Sequence, residues 1–180
     1  MDVVMEQRLV RRGAVLAFVL TVAVCTASLL LLPRLMALPS EIAPRLALAI
    51  QTSVPHLLCV LVAIQLVSSG RYRSAADIAG AAAGPPSPQL AVKVAFLQNT
   101  LEQAFVGVCM NLALASVTGG SVLALLIASA ILFPIGRLLF YRGYPGGAGS
   151  RALGMALTAL PSLACLGAAG VVTIAKLVGA

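Results

Sequence analysis

The chain has 180 residues, of which 61% are hydrophobic and only 9% charged, with a mean hydropathy of +1.06, a net charge of +7 and no Trp. That composition excludes an ordinary soluble domain and points to an all-α, integral membrane helical bundle. A bilayer hydrocarbon core about 30 Å thick needs about 20 residues per helix, so this length leaves room for four or five crossings and short loops.

The first apolar stretch, residues 13–32, follows Arg8, Arg11 and Arg12. Basic residues before an apolar run also mark a signal peptide. This run exceeds the usual 7 to 15 residues or so, and no small-residue cleavage pattern follows closely, so a retained anchor is expected. Further spans are read at residues 46–68, 90–117, 121–136 and 152–178, the fourth being the shortest. Each is expected to be a helix, the open-ended element that satisfies its own backbone in lipid. Pro55, Pro134 and Pro161 fall inside spans and are expected to kink them, because neighbouring helices can satisfy the freed carbonyls. Residues 71–89, rich in Ala, Gly and Pro, read as the longest loop, and Gly119-Gly120 as a tight hairpin.

Five spans with the N-terminus inside put Arg8, Arg11, Arg12, Arg71, Arg73, Lys93, Arg137, Arg142 and Arg151 on the cytoplasmic side. Only Arg34, Arg45 and Lys176 fall near the outer side. The positive charge is thus the positive-inside pattern, and no basic stripe interleaved with aromatics speaks for nucleic acid. Cys25, Cys59, Cys109 and Cys165 fall one to a span, at spacings that suit neither a disulfide framework nor a zinc site. They are expected to be buried free thiols, so thiol chemistry would use a sulfur brought by a substrate. His56, the single histidine, has no metal-ligand set around it. It is expected to donate to a helix carbonyl freed by Pro55, the alternative being a proton relay with Glu102.

Glu102 is the one carboxylate inside an apolar stretch. An ionisable group in lipid is costly unless it is partnered, which marks it as a candidate functional residue. Asn99 lies three residues before it and Gln98 four before it, giving a polar helix face that must point into the bundle or across a subunit boundary. Two readings stand: Glu102 pairs with a basic side chain to hold helices together, or the face lines a polar ligand pocket. A second constellation follows the fourth span: Arg137, Tyr141, Arg142, Tyr144 and Arg151. Such residues anchor helices at membrane boundaries. Together with the Asn99/Glu102 face they form a cationic, hydrogen-bonding cavity suited to a small anion.

Asn99-x-x-Glu102 on one helix, Arg137 and then Gly143-Tyr144 at the end of the next, and Arg151 seven residues later resemble the MAPEG family, the membrane-associated proteins of eicosanoid and glutathione metabolism. The resemblance runs from about Leu46 onward. It implies a four-helix protomer over residues 41–180, with residues 1–40 adding an inner-side tail and one extra transmembrane helix. It further implies a homotrimer, with glutathione at protomer boundaries near the cytosolic surface and a lipophilic substrate arriving from the bilayer. Carried over by position, Asn99, Glu102, Arg71, Arg73, Arg137 and Tyr141 would hold glutathione, with Tyr144 and Arg151 catalytic and Arg151 facing the sulfur. No metal is implied. The chain departs from the pattern at Ala95, where glutathione-handling members have arginine, at Gln103, where several have tyrosine, and at Phe140, again a tyrosine position.

Three functions are therefore weighed. The first is a glutathione-dependent transferase or peroxidase acting on a lipophilic electrophile. The second is a non-catalytic scaffold of the same fold that binds membrane lipid or regulates, motivated by Ala95 and Phe140. The third is a proton-coupled transporter resting on Glu102 and His56. Small residues at Gly154/Thr158 and Ala164/Ala168 are expected to allow close helix approach.

Overall fold

A computed structural model describes residues 3–179; residues 1, 2 and 180, at the outer ends of the two expected units, lie outside the described residues. Five long helices dominate: α1 (Val3–Leu35), α2 (Ile42–Tyr72), α3 (Pro88–Val117), α4 (Ala124–Arg142) and α5 (Gly147–Val178). Each is apolar and long enough to cross a membrane, α4 together with the single turn before it. The protein is an integral membrane helical bundle.

Helix length explains where the charges sit. α1, α2, α3 and α5 have 33, 31, 30 and 32 residues, about 45 to 50 Å at 1.5 Å per residue. They overrun a hydrocarbon layer of about 30 Å, so basic residues toward their ends, such as Arg8, Arg71, Lys93 and Lys176, can reach the headgroups. The expected spans end where α3 and α5 end, at Val117 and Val178, whereas α1, α2 and the starts of α4 and α5 differ from them by three residues or more. α4 is the shortest, as expected, with 19 residues. Pro55, Pro134 and Pro161 all lie inside helices that continue past them.

The long loop is shorter than the sequence suggests, because α2 runs on to Tyr72 and Ser87 already caps α3. The Ser87 hydroxyl accepts from Leu90 N, with Pro88 in the first helical position, a start signal in which the missing proline N–H costs nothing. Asp77 closes this loop. Its carboxylate accepts from Ser74 Oγ at 2.6 Å, Ser87 N at 2.8 Å and Ser87 Oγ at 2.7 Å, which holds the carboxyl below its usual range. At the opposite end, Gly120 takes φ +65° and donates to Pro39 O at 2.9 Å, and Lys176 Nζ donates to Val117 O at 2.7 Å.

α2 packs on α3 and α4, and α5 packs on the same two helices from the other side, so α2, α3, α5 and α4 follow one another round a four-helix bundle. α1 lies outside it, against α5 and α4. Glycine permits the closest approach: a Cβ on Gly136 would stand 2.6 Å from Thr158 Cγ2, and one on Gly154 would collide with the Phe140 backbone. The Gly154/Thr158 pair therefore works as expected, at the α4–α5 seam. Ala164 and Ala168 are half-buried.

The bundle interior is partly polar. Ser53, His56, Thr100, Asn111, Ser129, Thr158 and Ser162 are buried. His56 Nε2 lies 3.2 Å from Ser129 Oγ across the α2–α4 contact. This corrects the carbonyl partner expected for His56: the Thr52 carbonyl acts on the ring, but Nδ1 has no hydrogen bond of acceptable geometry. The four cysteines are free. Only Cys25 and Cys165 are buried; Cys59 and Cys109 are half-buried, because a helix at the rim of a bundle shows part of its surface outward.

Candidate functional site

The cluster forms where α4 ends and α5 begins. Arg137, one turn and a half before the end of α4, is only 2% exposed. Its Nη1 donates to Asn99 Oδ1 at 2.7 Å and its Nη2 to Thr158 Oγ1 at 2.6 Å, so one guanidinium ties α4 to both α3 and α5. The cation also lies over the Phe140 ring, 4.6 Å from its centroid, a contact that strengthens once water is excluded. Its Nε is buried without a partner, and it forms no ion pair among the described residues.

Phe140 faces a second arginine. Arg151, in the first turns of α5, stacks over Tyr144 at 4.5 Å and lies 5.9 Å from the Phe140 centroid. Tyr144 meets Phe140 edge-on at 5.4 Å. The single turn Tyr144–Gly146 reverses the chain between the helices, which is why residues seven apart in sequence come into contact. Both Arg151 and Tyr144 are half-buried. Their geometry fits an anionic ligand: a delocalised cation held over a phenol ring, with no acid pairing it among the described residues.

The remaining expected residues are placed as follows. Asn99 joins Arg137. Tyr141 contacts the Phe96 ring at 4.7 Å and lines an apolar cavity of about 420 Å³ with Leu58, Cys59, Phe96 and Arg137; neither Tyr144 nor Arg151 lines it. Tyr141 thus packs on Phe96, while the ring facing Arg151 from α4 is that of Phe140. Glu102 is exposed on the outer face of α3 and accepts from Gln98 Nε2 at 3.0 Å. It pairs with no basic side chain among the described residues. Arg71, half-buried at the end of α2, lines a small cavity under the Asp77 loop, and Arg73 is exposed. Within one protomer, then, Asn99 meets Arg137 and Tyr144 meets Arg151, while Glu102, Arg71 and Arg73 stand apart from both pairs.

A model of the MAPEG family matches residues 49–171, about two-thirds of the chain. The chain belongs to the MAPEG family. No curated protein and no solved structure matches it. MAPEG proteins are generally membrane-associated and trimeric and generally use glutathione. The MAPEG match begins inside α2 and takes in Asn99, Arg137, Tyr144 and Arg151; α1 lies outside it. Two further residues that hold this cluster in place were not singled out for it by spacing. Thr158 lies seven residues after Arg151, two helical turns along α5, and could have been found as the hydroxyl facing Arg137. Glu6 accepts from Gly149 N at 2.7 Å across 143 residues of sequence, a pairing with no local signal.

Proposed function

We propose that this protein is a glutathione-dependent membrane transferase or peroxidase that turns the glutathione thiol on a lipophilic electrophile. The observation that carries this reading is Arg151, half-buried, stacked on Tyr144 and free of any acid partner among the described residues. Glutathione, when bound, supplies the thiol nucleophile. A guanidinium stays protonated at working pH, so Arg151 favours a thiolate over a thiol by charge pairing. Tyr144 keeps the guanidinium plane fixed and offers a hydroxyl beside it. Arg137 keeps Asn99 in place from behind, as a buttress and not as a mouth residue, leaving the Asn99 amide nitrogen available to a ligand.

Association of protomers would complete the site. Glu102 is the one carboxylate in an apolar stretch and faces out of the protomer; against lipid such a group costs several kcal/mol, whereas a neighbouring copy could supply donors. A homotrimer with glutathione at the boundary agrees with this placement, with residues 41–180 as the catalytic unit and residues 1–40 appended to it. The excess of arginine on the side that holds Arg8, Arg71 and Arg142 supports a cytoplasmic face for the N-terminus and the site.

A titration of the detergent-solubilised protein with glutathione, followed at the ultraviolet thiolate band, tests the reading. A saturable band that Arg151→Ala abolishes, with the fold intact, is expected. Absence of the band in the unaltered protein overturns it. The apolar cavity beside Cys59 favours a second reading, a non-catalytic scaffold holding a membrane lipid there. A lipid that co-purifies in that cavity, with no thiol transfer, is its signature.

A further inference from the structure

α5 starts without a cap of its own. The residue before it is Gly146, which offers no side-chain acceptor, and the helix opens Gly147-Ala148-Gly149, with Gly147 at φ +86°. The first N–H groups of a helix have no partner within it. Here the acceptor comes from another helix: Glu6 Oε2 takes the Gly149 N–H at 2.7 Å. A side-chain oxygen at that amide does the work of an N-cap, and its negative charge suits the positive end of the helix.

The contact extends along one face of α1. Glu6, Leu9 and Gly13 follow one another at helical spacing. A Cβ on Gly149 would collide with Leu9, and one on Gly13 would lie 3.0 Å from Leu153 N and 3.1 Å from Ala152 Cβ. α1 therefore grips Gly149, Ala152 and Leu153. Between them in sequence sits Arg151, which looks instead toward Tyr144 and Phe140. The turn that carries Arg151 is held on one side by rings and on the other by α1.

We infer that Glu6 is a positioning residue: by capping Gly149 it fixes the first turn of α5, and so fixes the direction in which Arg151 is presented over Tyr144. Its importance to a thiolate rests on the function proposed above, but the placement of Arg151 does not. Hydrogen exchange of the full chain in detergent, read over residues 147–153, measures the cap directly. Because the chain has no Trp, near-ultraviolet circular dichroism in a Tyr72→Phe/Tyr141→Phe background reports the surroundings of Tyr144. The pH midpoint of the glutathione thiolate band reports Arg151.

In Glu6→Ala, exchange at Gly149 rises about tenfold, as loss of a charge-assisted hydrogen bond requires. The Tyr144 signal changes and the thiolate midpoint moves to higher pH, while Glu6→Gln, which keeps an acceptor, restores all three toward normal. Should Glu6→Ala not fold, Glu6→Asp, which withdraws the carboxylate by one methylene, takes its place with the same expectations. Unchanged exchange and an unchanged tyrosine signal overturn the inference. So does a shifted exchange with an unmoved midpoint, which would leave only a packing contact. If the unaltered protein gives no thiolate band, it is the glutathione reading that fails, and exchange and tyrosine signal alone then decide whether Glu6 places Arg151.

Discussion

Arg137 donates to Asn99 at 2.7 Å, the link that joins α4 to the polar face of α3. A buried guanidinium that loses an acceptor keeps its desolvation cost. Asn99→Ala should therefore destabilise the protein by about 2 kcal/mol, the range for hydrogen bonds to charged groups. The double variant Asn99→Leu/Arg137→Met should recover much of that loss, since replacing both partners removes the stranded charge. Equilibrium unfolding in detergent measures both.

Arg151 is expected to act through charge and through its placement over the Tyr144 ring. Arg151→Ala should lower kcat/KM for a lipophilic electrophile about a hundredfold, the scale of losing one preorganised donor. Arg151→Lys should fall between, because an ammonium keeps the charge but loses the stacked geometry. Tyr144→Phe, which retains the ring, should preserve the thiolate band better than Tyr144→Ala.

The Asp77 clasp gives a pH dependence with a definite sign. Three donors depress the folded-state carboxyl below its unfolded value, so its stabilising contribution is fully present above the unfolded value of about 3.9. That contribution is lost as pH falls through the lower folded value. Protection from hydrogen exchange over residues 73–87, taken relative to the intrinsic rate at each pH, should be high at pH 7 and lower under strong acid. Asp77→Asn should exchange faster at pH 7 and respond less to acid.

Gly154 and Gly170 lie on the same helix but in different surroundings. A Cβ at Gly154 meets the Phe140 backbone, whereas one at Gly170 meets nothing within 4 Å. Gly154→Ala should destabilise by about 1 to 3 kcal/mol through overpacking, and Gly170→Ala should change stability by no more than about 1 kcal/mol. Thermal unfolding of the two variants side by side distinguishes them.

Glu102 faces out of the protomer, so its replacement should be felt between copies. Glu102→Leu should shift the oligomer distribution toward smaller species, measured by native mass spectrometry, while leaving helix content unchanged. An unaltered distribution would remove Glu102 from the subunit boundary.

Five crossings were readable from the chain because apolar runs of this length have one outcome in a membrane. The ends at Val117 and Val178 were readable too; others were not, since charged residues such as Arg8 and Arg142 continue a helix once it leaves the hydrocarbon. Asn99, Tyr144 and Arg151 could be singled out by order and spacing. What spacing could not reveal is that Arg137 is buried between Asn99 and Thr158, or that Tyr141 turns toward Phe96. One position along α4 rotates a side chain by about 100°, which is enough to separate Phe140 from Tyr141 into different environments. Glu6 could not be found at all, because a contact across 143 residues leaves no mark on either local pattern.

The docking of α1 on α5 sets an order of assembly. During synthesis α1 is made before α2, α3 and α4, yet its main partner follows all of them. Until α5 is inserted, Gly13 and Leu9 have no groove to enter, and α1 has only the smaller surface of α4 to rest on. Joining elements so far apart in sequence is a late step, since closing a long chain segment has an entropic cost before any contact offsets it. A chain stopped before α5 would leave α1 with its larger packing face uncovered, a form that membrane quality control can recognise by its exposed N-terminal helix.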